Sequence, residues 1–239
     1  MKGFMIALQF LTRLPGPRLT VSDAEFAGSM RWFPAVGLVV GGLIAGALWL
    51  GGLVDPWVAA LAALTTWLWV TGALHLDGLA DVADAAGAAH KGQAQLLAVL
   101  RDPHVGSFGA VVIAMQIVAK MVLFHGLAEQ HAYVAILWVP FAARLGPLVW
   151  TRLLPPLHDG LGARFREGAG NGTLAVWAVA LLVAAWSTPA IILSIPAIFL
   201  WKFWIMRTLG GISGDGHGAG IEVVETVMML GIMTLGEMG

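Results

Sequence analysis

Three aspartates, Asp77, Asp81 and Asp84, stand within eight residues in the stretch HLDGLADVADAAG (75–87). They follow a long apolar run directly, and no Lys or Arg lies among them. Their spacing is i, i+4, i+7. At about 100° per residue they fall within roughly 60° of one another on a helix, so a helix here presents three carboxylates from one face. Like charges this close repel unless a cation compensates. Carboxylate oxygens suit Mg²⁺ or Mn²⁺, and Mg²⁺ is commonly shared between carboxylates and substrate phosphates. The pattern therefore points to metal-assisted chemistry on a phosphate. The alternative is a solvated acidic face in a loop. Position favours the metal site, because ionisable groups against a membrane span are functional by default.

A second cluster is TLGGISGDGHGAGIEVVE (208–225). Glycines around Asp215 and His217 would let backbone N–H groups approach phosphate oxygens. A flexible turn with a capping Asp is the plain alternative. Glu222 lies seven residues beyond Asp215 on about the same helix face, and Glu225 flanks it. Asp77, Asp81, Asp84, Asp215 and Glu222 are thus the candidate metal ligands. His75 is a candidate general base or ligand beside Asp77 and Asp81, though a lone His at a helix end is often structural. Between the clusters, LRDPHVGSFG (100–109) supplies Arg101, for a phosphate or simply the membrane boundary, and Asp102, which opens a turn. Arg144, inside an apolar segment, could reach an anionic substrate or an aspartate. Arg101, Asp102, Arg144, Gly214 and Glu225 are the candidates for substrate contact. Lys120, also in an apolar segment, is expected to snorkel to the headgroups.

These groups need elements to position them, and composition says which kind. The chain has 239 residues, 59% hydrophobic and only 11% charged, against about a quarter charged in a soluble domain. It reads as an integral membrane protein in contact with the lipid bilayer. A net charge of −1 gives nucleic acid no support. The absence of cysteine excludes disulfides, thiolate metal sites and cysteine nucleophiles. Apolar stretches of about 20 residues are candidate spans. They fall at 32–53, 56–74, 106–127, 132–151, 172–187, 190–206 and about 219–236, with Ser187-Thr188-Pro189 as the weakest boundary. The expected fold is all-α: a polytopic helical bundle of about seven transmembrane helices in a single domain, 1–239. Gly37/Gly41 and Gly42/Gly46 repeat at the spacing of close helix packing. The tryptophans are expected at interfaces or facing lipid. The N-terminal apolar segment lacks a small-residue cleavage site and reads as a retained helix ended by Pro15-Gly16-Pro17. If the N-terminus is cytoplasmic, the Lys and Arg of the loops all fall inside, including Arg164 and Arg166, as the positive-inside rule requires. Both acidic clusters then share the cytoplasmic face. The polar loops 85–105 and 152–171 become walls, with REGAGNG (166–172) a candidate for movement.

FLTRLPGP, FPAVG (33–37), HLDGLADVAD (75–84), RDPHVGSFG (101–109) and TLGGISGDGHGAGIEVVE occur in that order. Together they resemble the cobalamin-5'-phosphate synthase family, the adenosylcobinamide-GDP ribazoletransferases, over almost the whole chain. The resemblance implies a Mg²⁺-dependent enzyme of the bacterial cytoplasmic (inner) membrane, active on the cytoplasmic face. Such an enzyme joins adenosylcobinamide-GDP to α-ribazole or its 5'-phosphate, giving adenosylcobalamin or its 5'-phosphate plus GMP. The family's aspartate motif maps onto Asp77, Asp81 and Asp84. Its C-terminal motif maps onto Gly214, Asp215, Gly218, Ala219, Glu222 and Glu225. Where the family commonly has Asp-Thr-x-Asp-Gly, this chain has Asp81-Val82-Ala83-Asp84-Ala85, and Ser213 replaces a usual Thr. Neither departure removes a carboxylate. Two other readings use the same acids. A CDP-alcohol phosphotransferase would carry an Asp-Gly-x-x-Ala-Arg element, whose Arg is missing here. A cation transporter would place its site at the midplane between repeated halves, and no repeat is found.

Overall fold

The computed structural model describes residues 1–158 and 171–235. Arg164, Arg166 and most of REGAGNG lie outside the described residues.

Helix α1 (Lys2–Leu11) is short and apolar and ends where Thr12 turns extended. A capping box, in which Ser22 and Glu25 satisfy each other's backbone N–H, opens α2 (Asp23–Ser29). A single 3₁₀ turn leads into α3 (Phe33–Gly52). Asp55 caps α4 (Pro56–Thr71) by accepting the Trp57 N–H at 2.7 Å, with Pro56 at the first helical position. That helix stops at Gly72 (φ 61°) and Ala73 (φ 58°), both left-handed. The chain bends there by 83° and resumes as α5 (Leu74–Ala88), which carries the aspartates. The short α6 (Gln93–Val99) leads to α7 (Ser107–Glu129). Then α8 (Tyr133–Ala143) and α9 (Leu145–Leu153) form one crossing, hinged at Arg144. The remaining helices are α10 (Asn171–Ser187), α11 (Ser194–Thr208) and α12 (Gly214–Leu235).

The expected count of seven spans is approximate. Among the described residues, five helical segments are long and apolar enough to cross a membrane, and the bent pair α4–α5 makes a sixth. The seventh expected span is α10, which at 17 residues is shorter than these. It still runs the depth of the bundle. Near its start the Trp177 indole donates to the Arg31 carbonyl (2.8 Å), just before α3. At its end Ser187 accepts from Trp138 (3.1 Å) in the first half of α8. The expected break holds: α10 ends at Ser187, and Pro189 opens a 3₁₀ turn into α11.

Packing sorts the glycines and tryptophans. A Cβ on Gly37 would meet the Phe141 Cα at 2.6 Å, and one on Gly41 would reach the Leu137 backbone. Those two glycines are where α3 and α8 touch backbone to backbone. Gly46 has open space, and Gly42 faces only the tip of Leu137 at 3.8 Å. One stripe packs, not two. The tryptophans likewise divide. Trp49, Trp57, Trp69 and Trp186 are exposed, but Trp67, Trp150 and Trp201 are buried, contrary to the expected placement. Trp150 and Trp201 donate to the Ile198 and Gly216 carbonyls (2.9 and 3.0 Å), so their polar ends are satisfied.

Forcing side chains into the α3–α8 contact should cost about 1–3 kcal/mol. Gly37→Val is expected to lower the thermal midpoint of the detergent-solubilised protein by several degrees. Gly46→Val, built into open space, should leave it unchanged. Equal melting of the two variants would show that the contact is not tight.

Candidate active site

The site begins with an approach of two backbones. A Cβ on Gly78 of α5 would lie 2.9 Å from the Asp215 carbonyl oxygen, and one on Gly218 of α12 would lie 3.2 Å from the His75 Cα. One glycine from each helix lets α5 and α12 cross in near contact. The glycine-rich stretch is therefore not the expected loop. From Gly214 onward it is the first turns of α12. Gly216 and Gly220 make room for Ile205, Trp150 and Trp201, rather than for phosphate. Ser213 caps this start by accepting the Gly216 N–H at 3.0 Å.

The crossing brings the aspartates of α5 to Asp215. Asp81 lies within electrostatic reach of Asp215, Asp77 and Asp84. Asp77 is exposed, and Asp81, Asp84 and Asp215 are half-buried. The ion pairs of Lys120 and Arg144 go to other acids, and the His158 imidazole acts electrostatically on Asp215. Asp84 has a second task. Its two oxygens accept the N–H groups of Gly106 (2.8 Å) and Gly109 (3.0 Å), tying α5 to the N-terminus of α7. Arg101 and Asp102 are exposed on the turn that this contact draws towards α5. The His104 ring and backbone N–H hold the Asp102 carboxyl below the usual carboxylate range.

Among the described residues no three His, Asp or Glu side chains close on a point as a complete metal cage. The donor chemistry nonetheless fits a hard divalent ion. Mg²⁺ is usually held by one or two carboxylates, with water and substrate phosphate completing the octahedron. Asp77, Asp81 and Asp215 supply such oxygens on one surface, and no Lys or Arg pairs with them in the ion pairs described above.

Glu222 and Glu225 are not part of that surface. Glu222 lies seven residues beyond Asp215, about 10 Å along the helix, too far to share an ion with it. Both glutamates are buried in a set of opposite charges. Lys120 pairs with Glu222 (2.9 Å) and with Glu225, and Arg144 pairs with Glu225 (3.1 Å). Gln116 donates to Glu222 at 2.9 Å. The Lys120 ammonium also sits 3.6 Å from the centre of the Trp67 ring, a cation–π contact. Lys120 is 1% exposed and so does not snorkel. Arg144, fully buried, reaches a glutamate rather than an aspartate, and its Nη1 also donates to the Pro140 carbonyl (3.0 Å) across the α8–α9 hinge. The sequence held a signal for this set. Gln116 and Lys120 are four apart and Glu222 and Glu225 three apart, so each pair shares one face of an otherwise apolar helix. His75 is buried just above the set, and neither of its ring nitrogens has a hydrogen-bond partner.

A family model for cobalamin-5-phosphate synthase matches residues 3–233. The chain belongs to that family. It is 60% identical to the adenosylcobinamide-GDP ribazoletransferase of Novosphingobium aromaticivorans over 99% of this chain and 98% of that one. It is 49% identical to a protein of the same name from Thiobacillus denitrificans, over 96% and 94% of the two chains. A third, from Laribacter hongkongensis, is 48% identical over 96% of each. No solved structure matches the chain. Family membership sets aside the CDP-alcohol phosphotransferase and transporter readings.

In this family member, two cations and two anions balance in the buried set. Lys120→Met removes one cation and leaves an uncompensated buried carboxylate, which costs about 3–5 kcal/mol. Folded protein recovered from membranes should fall sharply. Lys120→Met/Glu222→Gln restores the balance and should recover much of it. A double variant no better than the single one would show that charge balance is not what the set supplies.

Proposed function

We propose that the protein is an adenosylcobinamide-GDP ribazoletransferase. A ribose hydroxyl of α-ribazole, or of its 5'-phosphate, attacks the phosphorus that carries the cobinamide. The new P–O bond forms as the bond to GMP breaks, and GMP leaves with the bridging oxygen. The product is adenosylcobalamin or its 5'-phosphate. The observation that carries this reading is the carboxylate surface where α5 crosses α12, in a chain that belongs to this family.

Asp77, Asp81 and Asp215 are the residues that would hold Mg²⁺, and bound there it supplies positive charge to the pyrophosphate. The protein's own part is mostly positioning, as in phosphoryl transfer generally. The Gly78–Asp215 crossing sets the separation of the acids. Asp84 fixes the turn bearing Arg101, which is free to bind a phosphate of the donor. A carboxylate of this surface accepts the proton of the attacking hydroxyl. His75 is enclosed and lies off the carboxylate surface, so it is not the base. The buried set of Lys120, Arg144, Glu222 and Glu225 holds α12 in register and touches no substrate. We read the site as lying at the cytoplasmic face of the inner membrane, a side that the loop cations favour.

The test is GMP release and corrinoid product formation by purified protein in detergent, with both substrates and Mg²⁺. Chelation with EDTA should abolish both, and added Mg²⁺ should restore them. Asp77→Asn and Asp81→Asn should each lower kcat by about a hundredfold or more, while membrane levels stay normal. Near-normal turnover in either variant, or indifference to EDTA, would sink the site assignment.

A further inference from the structure

Away from the carboxylates, an open trough of about 520 Å³ runs between α11 and α12. Leu193, just before α11, and then Ala197, Leu200 and Trp204 form one wall, at the three- and four-residue spacing of a single helix face. Val223 and Val227 of α12 form the other. Leu200 is 68% exposed and Trp204 41%, so the trough opens outwards. Its inner end is closed, because Leu193 is seated against Gly231 of α12 in the space a side chain there would take. At the other end the helix face continues into Arg207, three residues beyond Trp204 and in the last turn of α11. This is the end of the bundle that carries Asp215. Arg207 is exposed, its guanidinium 4.5 Å from the centre of the Phe203 ring. No carboxylate among the described residues pairs with it. The Gln93 side chain donates to the Leu209 carbonyl at 3.4 Å, which brings the turn that ends in exposed Lys91 to the same place.

Length says what fits. From Leu193 to Trp204 is eleven residues, about 16 Å along a helix. That is about half of the roughly 30 Å hydrocarbon core, so the trough occupies one leaflet. A helix from a second copy crosses both leaflets, and Leu193 closes this trough before it could. An acyl chain of one leaflet matches the length and the apolar walls. Charge says which lipid. Arg and Lys beside a membrane surface attract anionic headgroups. Two donors stand at the mouth: the Arg207 guanidinium and the Trp204 indole N–H, which has no hydrogen-bond partner among the described residues. Trp204 stacks on Trp201 with ring centres 4.9 Å apart, which fixes it at the depth where tryptophan meets headgroups.

We propose that this trough binds one anionic phospholipid of the leaflet on the Asp215 side, with an acyl chain between Leu200 and Val227 and the phosphate on Arg207 and Trp204. Lys91 adds to the positive field at the mouth. The chain lies against Trp201, which lines the same trough and whose indole N–H holds the Gly216 carbonyl next to Asp215. The lipid therefore backs the first turn of α12 from outside the bundle.

The test counts lipid rather than turnover, so its outcome is separate from the transferase reading. Wild-type protein in detergent, offered equal amounts of phosphatidylglycerol and phosphatidylcholine with the same chains, should retain one phosphatidylglycerol in native mass spectrometry. Phosphatidylglycerol should also raise the thermal midpoint about 2–4 °C above its value with phosphatidylcholine. Arg207→Gln should remove both preferences. Val227→Trp, which fills the trough, should lose the retained lipid. Should Val227→Trp fail to fold, the wild-type protein and Arg207→Gln decide. Equal retention of the two lipids by the wild type, or an unchanged preference in Arg207→Gln, overturns the site. Retention unchanged in folded Val227→Trp does the same. The chain has no cysteine, so Leu200→Cys introduces a single thiol at the trough. Oxidation in membranes should leave this variant monomeric; a disulfide-linked dimer would put a second copy in the trough and overturn the lipid.

Discussion

The near contact of α5 and α12 at Gly78 and Gly218 is the constraint on which the rest depends. Two helices normally pack 8–10 Å apart, held off by their side chains. Here one glycine on each removes that spacing, so Asp215 stands over the face that carries Asp77 and Asp81. An alanine at position 78 would bring its Cβ within 2.9 Å of the Asp215 carbonyl and push the helices apart. The acids would then separate, and the field they concentrate would weaken. Close approach costs α12 some helical propensity, because glycines recur through its first turns. Tertiary contacts offset this: Trp150 and Trp201 fill the space the glycines leave, and Ser213 caps the first turn.

A crossing this close must also be held in register, and the buried charges do that. Lys120 reaches α12 from α7, and Arg144 reaches it from the α8–α9 hinge. Ion pairs are weak glue in water but demanding in a bundle, since a misplaced helix strands a charge without solvent. Rotation of α12 by one residue would break all three contacts at once. The bend at Gly72-Ala73 serves the same end from the other side. Ala73 holds a left-handed conformation that alanine seldom adopts. The strain persists because the surrounding structure fixes both ends. Val70 accepts the Arg13 N–H at 2.8 Å, and α5 is tied to α7 through Asp84.

Much of the architecture was legible in the sequence, and what was not has a physical reason. Apolar length gave the spans, because a bilayer sets a length that composition alone reveals. The i, i+4, i+7 acids gave the carboxylate surface, because helical periodicity is local. Partner choice across helices is not local. Lys120 in an apolar run reads as snorkelling until Glu222 and Glu225 are seen to face it. Asp84 reads as a third ligand until its oxygens are found on Gly106 and Gly109. Glycines in TLGGISGDGHGAG read as a phosphate loop, because glycine serves equally where a backbone, a tryptophan or a ligand comes close. The trough between α11 and α12 had no sequence signal at all, since Leu200, Trp204, Val223 and Val227 meet only in three dimensions.

The polar groups of this protein are sorted by what water can reach. At the surface, Asp77 is open to water and Asp81 and Asp215 are partly so. Deeper, Lys120, Arg144, Glu222 and Glu225 are closed off and balanced, so they cannot exchange partners without unfolding. His75 lies between the two, buried beneath the acids and above the ion pairs, with neither nitrogen engaged. A group in that position is poorly placed to trade protons with solvent, yet well placed to give a fixed hydrogen bond to whatever enters beside it. The α5–α12 crossing is the point where the open acids and the closed ion pairs adjoin.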